Sequence, residues 1–429
     1  MRIKLINHAC LIIDCGDIRI LTDPWVDGNI FDNGWSLITT TKLPQPESYD
    51  YVWISHEHPD HFRPSIFDGK KIPLEKTILI HKRDHDQKLK NFFVNKGYKI
   101  KQIPNEGMRI GKVFINGGIS KSFDSWISTS YNGKTFLNLN DCVAFSNISE
   151  IQQIKDKIGP IDCAALQFSF ANWTGNKGDI KIREKAKLQT FNKLESIFSA
   201  LKPKNVIPFA SFSYFSHEEN FYLNRNAIKI TELINHFDEQ NFSVLKVGDI
   251  HTLDETRSKL QNQSAINFWE KQYNKINDLP KTKTSVKSIG SLFDQFKVMQ
   301  QYLSKHNDLN QLKERLYTNK KNIRSIIFLS DHKKFVEYNI FGNMSIVDSD
   351  SYDISMTSEC LFNLMKNKWG YGTLMINGRF QANYETFSRF ALQSRLYYMN
   401  NIGKFYPNDV KIDDIRNPSS LVKNLLENE

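Results

Sequence analysis

Three histidines and one aspartate fall within six consecutive positions of this chain, and they constrain it more than any other feature. His56, His58, Asp60 and His61 lie in the stretch WISHEHPDHF (53–62), after the apolar run YDYVWI. The run predicts a buried strand, and Pro59 predicts a turn after it. Alternate strand residues share a face, so His56 and His58 are expected to be neighbours, with Asp60 and His61 swinging back past the strand end.

This cluster predicts a metal site, because imidazole and carboxylate groups are common metal ligands. Two metal ions a few ångströms apart can share such a cluster and generate hydroxide near neutral pH. The alternative is a solvated turn that is rich in histidine by chance. Histidine is scarce here, with eleven in 429 residues, and three of them fall in these six positions, which favours the metal site.

The composition is that of a soluble globular protein, and 429 residues favour two domains. The net charge is +10, but the lysines are spread along the chain without a basic arm. We therefore expect a small anionic substrate rather than nucleic acid. Five cysteines without a CxxC motif indicate reduced thiols and a cytoplasmic location. No apolar run is long enough to cross a membrane, and none resembles a signal peptide.

The pattern of apolar and polar residues changes near residue 255. Residues 1–255 contain many short strand patterns, with a helical pattern over 179–203, which predicts an α/β layer fold. Residues 256–429 are predicted to form a helical, α+β C-terminal region. There, SECLFNLMKNKW and ETFSRFALQSRLYYMN are predicted helices, and GTLMINGRF between them is a predicted strand.

The stretch SHEHPDHF resembles the signature of the metallo-β-lactamase superfamily, whose fold is an αββα sandwich with metals at one edge of two packed sheets. The upstream segments HACLIID and ILTDPW are similar to the opening of one branch of that superfamily. FDSWISTSYNGKTFLNLNDC and the later NKWGYGTLMINGRFQANYETFSRFALQSRLYY resemble the CMP-N-acetylneuraminate hydroxylase branch. The resemblance implies an α/β fold, a metallo-β-lactamase αββα sandwich with a C-terminal α+β extension.

The same resemblance implies further ligands. Asp141 matches the bridging carboxylate, Asp124 a ligand from the preceding strand, and His217 the late histidine; the alternatives are polar residues at strand ends and a surface histidine. Asp60 and Asp141 are the predicted catalytic residues. The donor set contains three carboxylates and no thiolate, which suits iron or manganese at least as well as zinc. The complete predicted ligand set is His56, His58, Asp60, His61, Asp124, Asp141 and His217.

Two more polar residues, His8 and Asp23, are predicted to orient ligands through hydrogen bonds, unless they are ordinary strand-end groups. The loop FANWTGNKGD (170–179) resembles a loop of the same branch, and Asn172, Trp173 and Lys177 are its candidate substrate-binding residues. Cys142 adjoins Asp141 but is expected to face away from the site. His81 and His85 are interpreted as solvated.

Three functions fit these residues. The first is a diiron oxygenase or hydroxylase acting on a small anionic or sugar-like substrate. The resembling hydroxylases carry a Rieske iron–sulfur domain, but no CxH…CxxH pattern precedes the first strand here, so a separate electron-transfer protein is expected. The second is a hydrolase that attacks a thioester, lactone or phosphoester with a metal-bridging hydroxide. The third is a non-catalytic binding module. The carboxylate-rich ligands favour the oxygenase, whereas the missing electron supply favours the hydrolase.

Overall fold

A computed structural model describes residues 1–69, 71–83, 86–120, 124–142, 147–317 and 323–416. Its strands are β1 Arg2–Asn7, β2 Cys10–Asp14, β3 Arg19–Thr22, β4 Trp35–Leu37, β5 Tyr51–Trp53, β6 Thr77–His81, β7 Lys99–Ile103, β8 Met108–Ile110, β9 Val113–Ile119, β10 Ser125–Tyr131, β11 Lys134–Asn140, β12 Cys163–Gln167, β13 Val206–Phe209, β14 Ser213–Phe215, β15 Ile250–Thr252, β16 Ser325–Leu329, β17 Lys334–Tyr338, β18 Ser345–Val347, β19 Ile354–Met356 and β20 Phe380–Ala382. Its helices are α1 Lys88–Asn95, α2 Ile148–Ile158, α3 Ile180–Leu201, α4 Ile230–His236, α5 Lys259–Lys275, α6 Ile289–His306, α7 Leu309–Tyr317, α8 Ser358–Lys366, α9 Gly370–Asn377, α10 Phe387–Asn401 and α11 Ile412–Arg416.

Two sheets pack face to face in the N-terminal half. The first has seven strands in the order β15-β1-β2-β3-β5-β6-β7, and the second has six in the order β13-β12-β11-β10-β9-β8. Alternation along β1 shows how the sequence sets the faces: Ile3 and Leu5 are buried between the sheets, whereas Arg2 is exposed. The apolar core thus lies between the two sheets.

Helices cover the outer faces of both sheets. Leu89 and Phe93 of α1 pack with the outward residues of the first sheet, including Val52 and Ile78. Helices α2 and α3 bury their apolar residues, such as Leu194, in the core that the second sheet shares. The layers are therefore helix, sheet, sheet, helix, and the predicted αββα sandwich is confirmed.

Helix α5 belongs with the sandwich rather than with the C-terminal half. The Trp269 ring stacks on Phe212 with centroids 3.8 Å apart, and Trp269 Nε1 donates to the Leu245 carbonyl at 2.8 Å. The sequence places the start of the C-terminal region at residue 256, before this helix. In the structure, residues as far as Ile276 belong to the core of the sandwich. The apolar face of α5 explains the difference, because a helix packs where its buried stripe finds a partner.

The C-terminal unit has its own sheet, in the order β18-β17-β16-β19-β20, and its own apolar core. The predicted strand over GTLMINGRF is wrong for its first part, because α9 is helical and only residues 380–382 form a strand. A short apolar run fits a buried helix as well as a strand. A Cβ on Gly370 would lie 2.5 Å from Leu364 Cα, so this glycine lets α9 begin directly against the end of α8.

The loop 170–179 ties the two units together. Trp173 leaves the sandwich and is fully buried in the C-terminal core, with its ring centroid 4.8 Å from that of Phe380. The Asn176 amide pairs with both backbone groups of Ala382, donating at 2.8 Å and accepting at 2.7 Å. The buried Arg183 donates to the carbonyls of Asn176 and Lys177 and so fixes the loop from below.

None of the helices in the described part of the chain is both long and apolar enough to cross a membrane.

Because Trp173 is fully buried in the C-terminal core, it should contribute strongly to the stability of the folded protein. We expect Trp173→Ala to lower the free energy of unfolding by about 3–5 kcal/mol, because it leaves a cavity in a packed core. Denaturant titration followed by circular dichroism measures the loss. Trp369→Ala is the matched control, since Trp369 is 53% exposed and should cost little. Equal, small losses in both variants would contradict the assignment of Trp173 to the core.

Candidate metal centre

The predicted ligands and the two predicted orienting residues lie on loops at the ends of sandwich strands. Strands β3, β5 and β11 end at Thr22, Trp53 and Asn140, and polar residues follow each of them. Placing the groups on separate strand ends lets a rigid scaffold set their separations. The residues are His8 after β1, Asp23 after β3, His56 to His61 after β5, Asp124 before β10, Asp141 after β11 and His217 after β14.

The three early histidines meet at one point. His56 Nε2 lies 2.8 Å from His58 Nδ1, and the rings of His56 and His61 are 4.3 Å apart. The expectation that strand alternation places His56 beside His58 is wrong, because β5 ends at Trp53. The two rings meet in the loop after the strand, and a turn closed by the His61 N–H donating to the His58 carbonyl at 3.0 Å brings His61 back beside His56.

Three carboxylates contact these rings. His61 Nε2 lies 3.1 Å from Asp60 Oδ2 and 3.2 Å from Asp141 Oδ2. Asp124 Oδ1 lies 3.4 Å from His56 Nε2. Two groups of ligand atoms result, each within 4.8 Å: His56, His58 and Asp141 in one, and His8, Asp60 and His61 in the other. Asp141 belongs to the first group and its Oδ2 contacts His61 of the second, so one carboxylate adjoins both groups.

Burial and charge set the protonation of the cluster. Burial lowers the pKa of His56 well below its usual value, and His61 and His58 act in the same direction. Burial alone would lower the pKa of His61 as well, but the carboxylates of Asp60 and Asp141 raise it well above its usual value. Burial would raise the pKa of Asp60, but His61 and His8 hold it well below its usual range. The pKa values of His56 and His61 thus move in opposite directions, because the carboxylates outweigh burial only at His61.

The side chains present fit bound metal ions. Among the described residues, Asp60 Oδ1, Asp141 Oδ1 and both ring nitrogens of His8 are buried members of the two groups and have no hydrogen-bond partner. A buried polar atom without a partner costs about 1–3 kcal/mol, so such atoms rarely collect at one place without a ligand. Their lone pairs are therefore available to metal ions.

Asp23 holds the centre in place. Its carboxylate accepts hydrogen bonds from the Ser55 N–H at 2.8 Å, the Ser55 hydroxyl at 2.7 Å and the Asn140 amide at 2.9 Å. Asp23 Oδ2 also lies 3.0 Å from His61 Nδ1. A carboxylate on the second ring nitrogen fixes the tautomer and orientation of a ligating histidine, which is the role expected for Asp23.

His8 lies closer to the centre than an orienting residue requires. Its Nε2 is 3.6 Å from Asp60 Oδ2, consistent with the predicted orienting contact. It also completes a group of three possible ligands with Asp60 and His61. Its ring is fixed edge-on to Trp25, with centroids 5.0 Å apart. His8 is thus a candidate ligand as well as a candidate orienting group.

His217 is fully buried but belongs to neither compact group. Its Nδ1 lies 3.3 Å from Glu219 Oε2, and its Nε2 has no hydrogen-bond partner. Burial, helped by the charge of Arg379, lowers the pKa of His217 to about 4, which leaves the ring neutral. A neutral ring can ligate, and ligation by His217 stays a prediction.

The candidate substrate-binding residues are set by the loop that joins the units. Trp173 has no exposed ring surface, so its observed contacts are those of a packing residue. Asn172 is half-buried, and Lys177 is exposed while its N–H donates to Gln381 Oε1 at 2.7 Å. The structure therefore gives this loop a joining role, and substrate contact by Asn172 and Lys177 stays a prediction.

The structure tests what the sequence predicted for Cys142 and His81. Cys142 lies in the apolar core between the sheets, as expected, and burial raises its pKa well above the usual value. His81 is not solvated: it ends β6, is 4% exposed, and its Nδ1 contacts the Ile103 carbonyl at 2.9 Å. The strand position explains this burial. His85 lies outside the described residues.

The C-terminal helix α10 contributes groups that the sequence pattern did not reveal. Burial raises the pKa of Tyr398, and the charges of Asp124 and Glu57 act in the same direction, whereas Arg395 lowers it. Asp124 is the one predicted ligand among these residues, so a charge of the candidate centre acts on a side chain of the C-terminal unit. No signal links residues so far apart in sequence, because this interaction depends on how the two units pack.

Comparison with known proteins gives one family and a set of relatives. Residues 2–129 match the family described as Beta-lactamase superfamily domain. The inactive cytidine monophosphate-N-acetylneuraminic acid hydroxylase of Homo sapiens is 26% identical over 270 residues, covering 59% of this chain and 52% of the relative. The cytidine monophosphate-N-acetylneuraminic acid hydroxylase of Gorilla gorilla gorilla is also 26% identical, covering 59% and 43%. The chain spans about half the length of the curated relatives it matches.

Solved structures show only a distant likeness. CmlA, a diiron beta-hydroxylase from Streptomyces venezuelae, is 14% identical with a TM-score of 0.40, over 58% of this chain and 53% of that chain. The metallo-beta-lactamase fold protein YhfI from Bacillus subtilis is 12% identical with a TM-score of 0.36, over 58% and 99%.

Asp60→Ala and Asp141→Ala should each remove metal without unfolding the protein, because the aliphatic and aromatic core lies elsewhere. We expect bound metal, measured by inductively coupled plasma mass spectrometry, to fall to one ion per chain or fewer, with an unchanged far-ultraviolet spectrum. The exposed Asp294→Ala is the control and should retain the wild-type metal content. An insoluble or unfolded Asp60→Ala protein would instead make this site a structural one.

Proposed function

We propose that this chain, whose residues 2–129 form a β-lactamase superfamily domain, is a metal-dependent oxygenase or hydroxylase with a dinuclear centre, iron being the favoured metal. Its substrate is a small anionic or sugar-like molecule. The relatives named above as cytidine monophosphate-N-acetylneuraminic acid hydroxylases support this proposal over about three fifths of the chain.

The observation that carries the proposal is the oxygen-rich donor set. Asp60, Asp124 and Asp141 all contact imidazoles of the cluster, and the described ligand groups contain no cysteine. Carboxylates are hard donors that suit iron and manganese, and they lower the net charge of the centre, which stabilises a higher oxidation state. Zinc has no redox chemistry, so it needs no such set.

Which residues hold the metal follows from the two groups. His56, His58, Asp124 and Asp141 would hold one ion, and Asp60, His61 and Asp141 the other, with His8 or His217 completing it. When bound, the ions supply Lewis acidity and, in the case of iron, the electrons with which dioxygen is activated.

The protein's own part is to orient the ligands and to place apolar surface beside them. Asp23 contacts Nδ1 of His61 and accepts a hydrogen bond from the Ser55 hydroxyl, and Ser55 Oγ lies 2.9 Å from His56 Nδ1. Trp25 contacts His8, and the Phe31 ring lies 6.2 Å from that of His58. These buried aromatic side chains place apolar surface beside His8 and His58, which lowers the local dielectric and strengthens electrostatic interactions there.

The charges around the centre support an anionic substrate. Lys88 and Arg83 lie 2.7 and 3.9 Å from Glu57, which stands between His56 and His58. Lys90 also lies beside Ser55, on the lining of a small pocket that Arg83 and Asp86 share. A carboxylate or phosphate of the substrate would be attracted toward these cations. Reducing electrons would come from a separate electron-transfer protein.

The second candidate is a hydrolase of thioesters, lactones or phosphoesters. The observation that favours it is the number of imidazoles, since His8, His56, His58 and His61 are gathered at one place. Imidazole-rich sites bind zinc well, and a metal-bound water can then act as a nucleophile near neutral pH.

Metal exchange separates the two functions. Apoprotein is loaded with Fe²⁺ or with Zn²⁺, and turnover of anionic sugar and thioester substrates is measured with and without dioxygen and a reductase. The proposal expects oxygen consumption with the iron-loaded protein and none with the zinc-loaded protein. Equal turnover by the zinc-loaded protein under strict anaerobiosis would establish the hydrolase instead.

A further inference from the structure

A buried arginine of the C-terminal unit lies where the two units meet. Arg379 is fully buried and follows α9, in the turn formed by residues 377–379. A buried guanidinium is costly unless its N–H groups are paired, so its partners identify what it holds. None of the sequence patterns that define the metal centre includes this residue.

Arg379 reaches three separate segments with its three nitrogens. Its Nε donates to Glu219 Oε2 at 2.8 Å, and one terminal nitrogen donates to Glu359 Oε2 of α8 at 2.7 Å. The other terminal nitrogen donates to the Asp32 carbonyl at 2.6 Å. The rigid planar fork of arginine suits this arrangement, which the single ammonium group of lysine cannot reproduce.

Glu219 connects Arg379 to His217. Nδ1 of His217 lies 3.3 Å from Glu219 Oε2 and 3.2 Å from the Glu219 backbone nitrogen. These two partners require opposite tautomers: the N–H needs an unprotonated Nδ1, whereas the carboxylate accepts a proton from it. The Glu219 N–H favours the tautomer with the proton on Nε2, whereas the Glu219 carboxylate favours the proton on Nδ1, which frees the lone pair of Nε2; among the described residues Nε2 has no hydrogen-bond partner.

We propose that Arg379 is a positioning residue of the metal centre. It holds the Glu219 carboxylate against Nδ1 of His217, and Nε2 of His217 is thereby kept available to a metal ion. This inference rests on the proposed function, in which His217 is a ligand, and it gives the C-terminal unit a part in assembling the centre.

Asn377, in the same turn as Arg379, contacts the loop that contains Asn220 and the loop that contains Phe31 and Gly34. Asn220 Nδ2 donates to the Asn377 carbonyl at 2.6 Å and to the Gly34 carbonyl at 2.9 Å, and Asn377 Nδ2 donates to the Phe31 carbonyl at 3.2 Å. A Cβ on Gly34 would lie 2.6 Å from Asn377 Cβ, so the two loops are packed too closely for a side chain at position 34. Because the Phe31 ring packs near His58, this turn braces both sides of the centre.

Metal affinity tests the inference directly. Apoprotein of the full chain is titrated with Co²⁺, and the dissociation constants and visible absorption bands are recorded for Arg379→Met, Glu219→Gln and Arg379→Lys. We expect Arg379→Met and Glu219→Gln to weaken one of two bound ions about 10–100-fold and to change its absorption band. The affinity of Arg379→Lys for Co²⁺ should lie between those of these two variants and that of wild type. Arg324→Met is the control, since it removes an exposed ion pair with Glu337 in the same unit.

A double-mutant cycle shows whether Arg379 acts through His217. If it does, adding Arg379→Met to His217→Ala should weaken Co²⁺ binding little further. Unchanged affinity in His217→Ala would refute His217 as a ligand and with it that part of the proposed function. Weakened binding in His217→Ala with wild-type binding in folded Glu219→Gln would overturn this inference alone. If Arg379→Met does not fold, the affinity of Glu219→Gln for Co²⁺ tests the inference in its place.

Discussion

The buried carboxylate of Asp23 is the interaction on which the candidate centre depends. It accepts hydrogen bonds from Ser55, which follows β5 of the first sheet, and from Asn140, which ends β11 of the second. It also contacts the ring of His61. One side chain thus fixes the separation of the two sheet edges from which the ligands project. Burial raises the pKa of Asp23, and the contacts with His61 and Ser55 oppose that shift.

The backbone around Asp23 is strained where the function needs it. His8, Asp23 and Asn140 have φ values of 34°, 38° and 51°, a region that costs most residues about 1–3 kcal/mol. The strain persists because hydrogen bonds determine the conformation of each residue. The C-terminal unit adds a second layer of constraint, since Trp173 and the turn around Arg379 anchor the loops that approach the centre.

Local patterns predicted much of this arrangement. The position of His56, His58, Asp60 and His61 after a buried strand was enough to predict their convergence, although a turn rather than strand alternation produces it. Asp23 was predicted as an orienting residue at a strand end, and Asp141 was predicted through family resemblance. Residues 370–377 could not be assigned from pattern alone, because an apolar run of that length fits a buried helix or a strand. Trp173, Tyr398 and Arg379 depend on how two units pack, which no periodicity in a single sequence encodes.

The number and coupling of bound metal ions test the central claim most directly. Apoprotein can be dialysed against Mn²⁺, with the bound metal counted by mass spectrometry and its coupling read by electron paramagnetic resonance. Because Asp141 contacts both groups of ligands, we predict two ions per chain whose spins are coupled through a shared carboxylate. A single ion per chain at saturation, or two ions without magnetic coupling, would contradict a dinuclear centre bridged by Asp141.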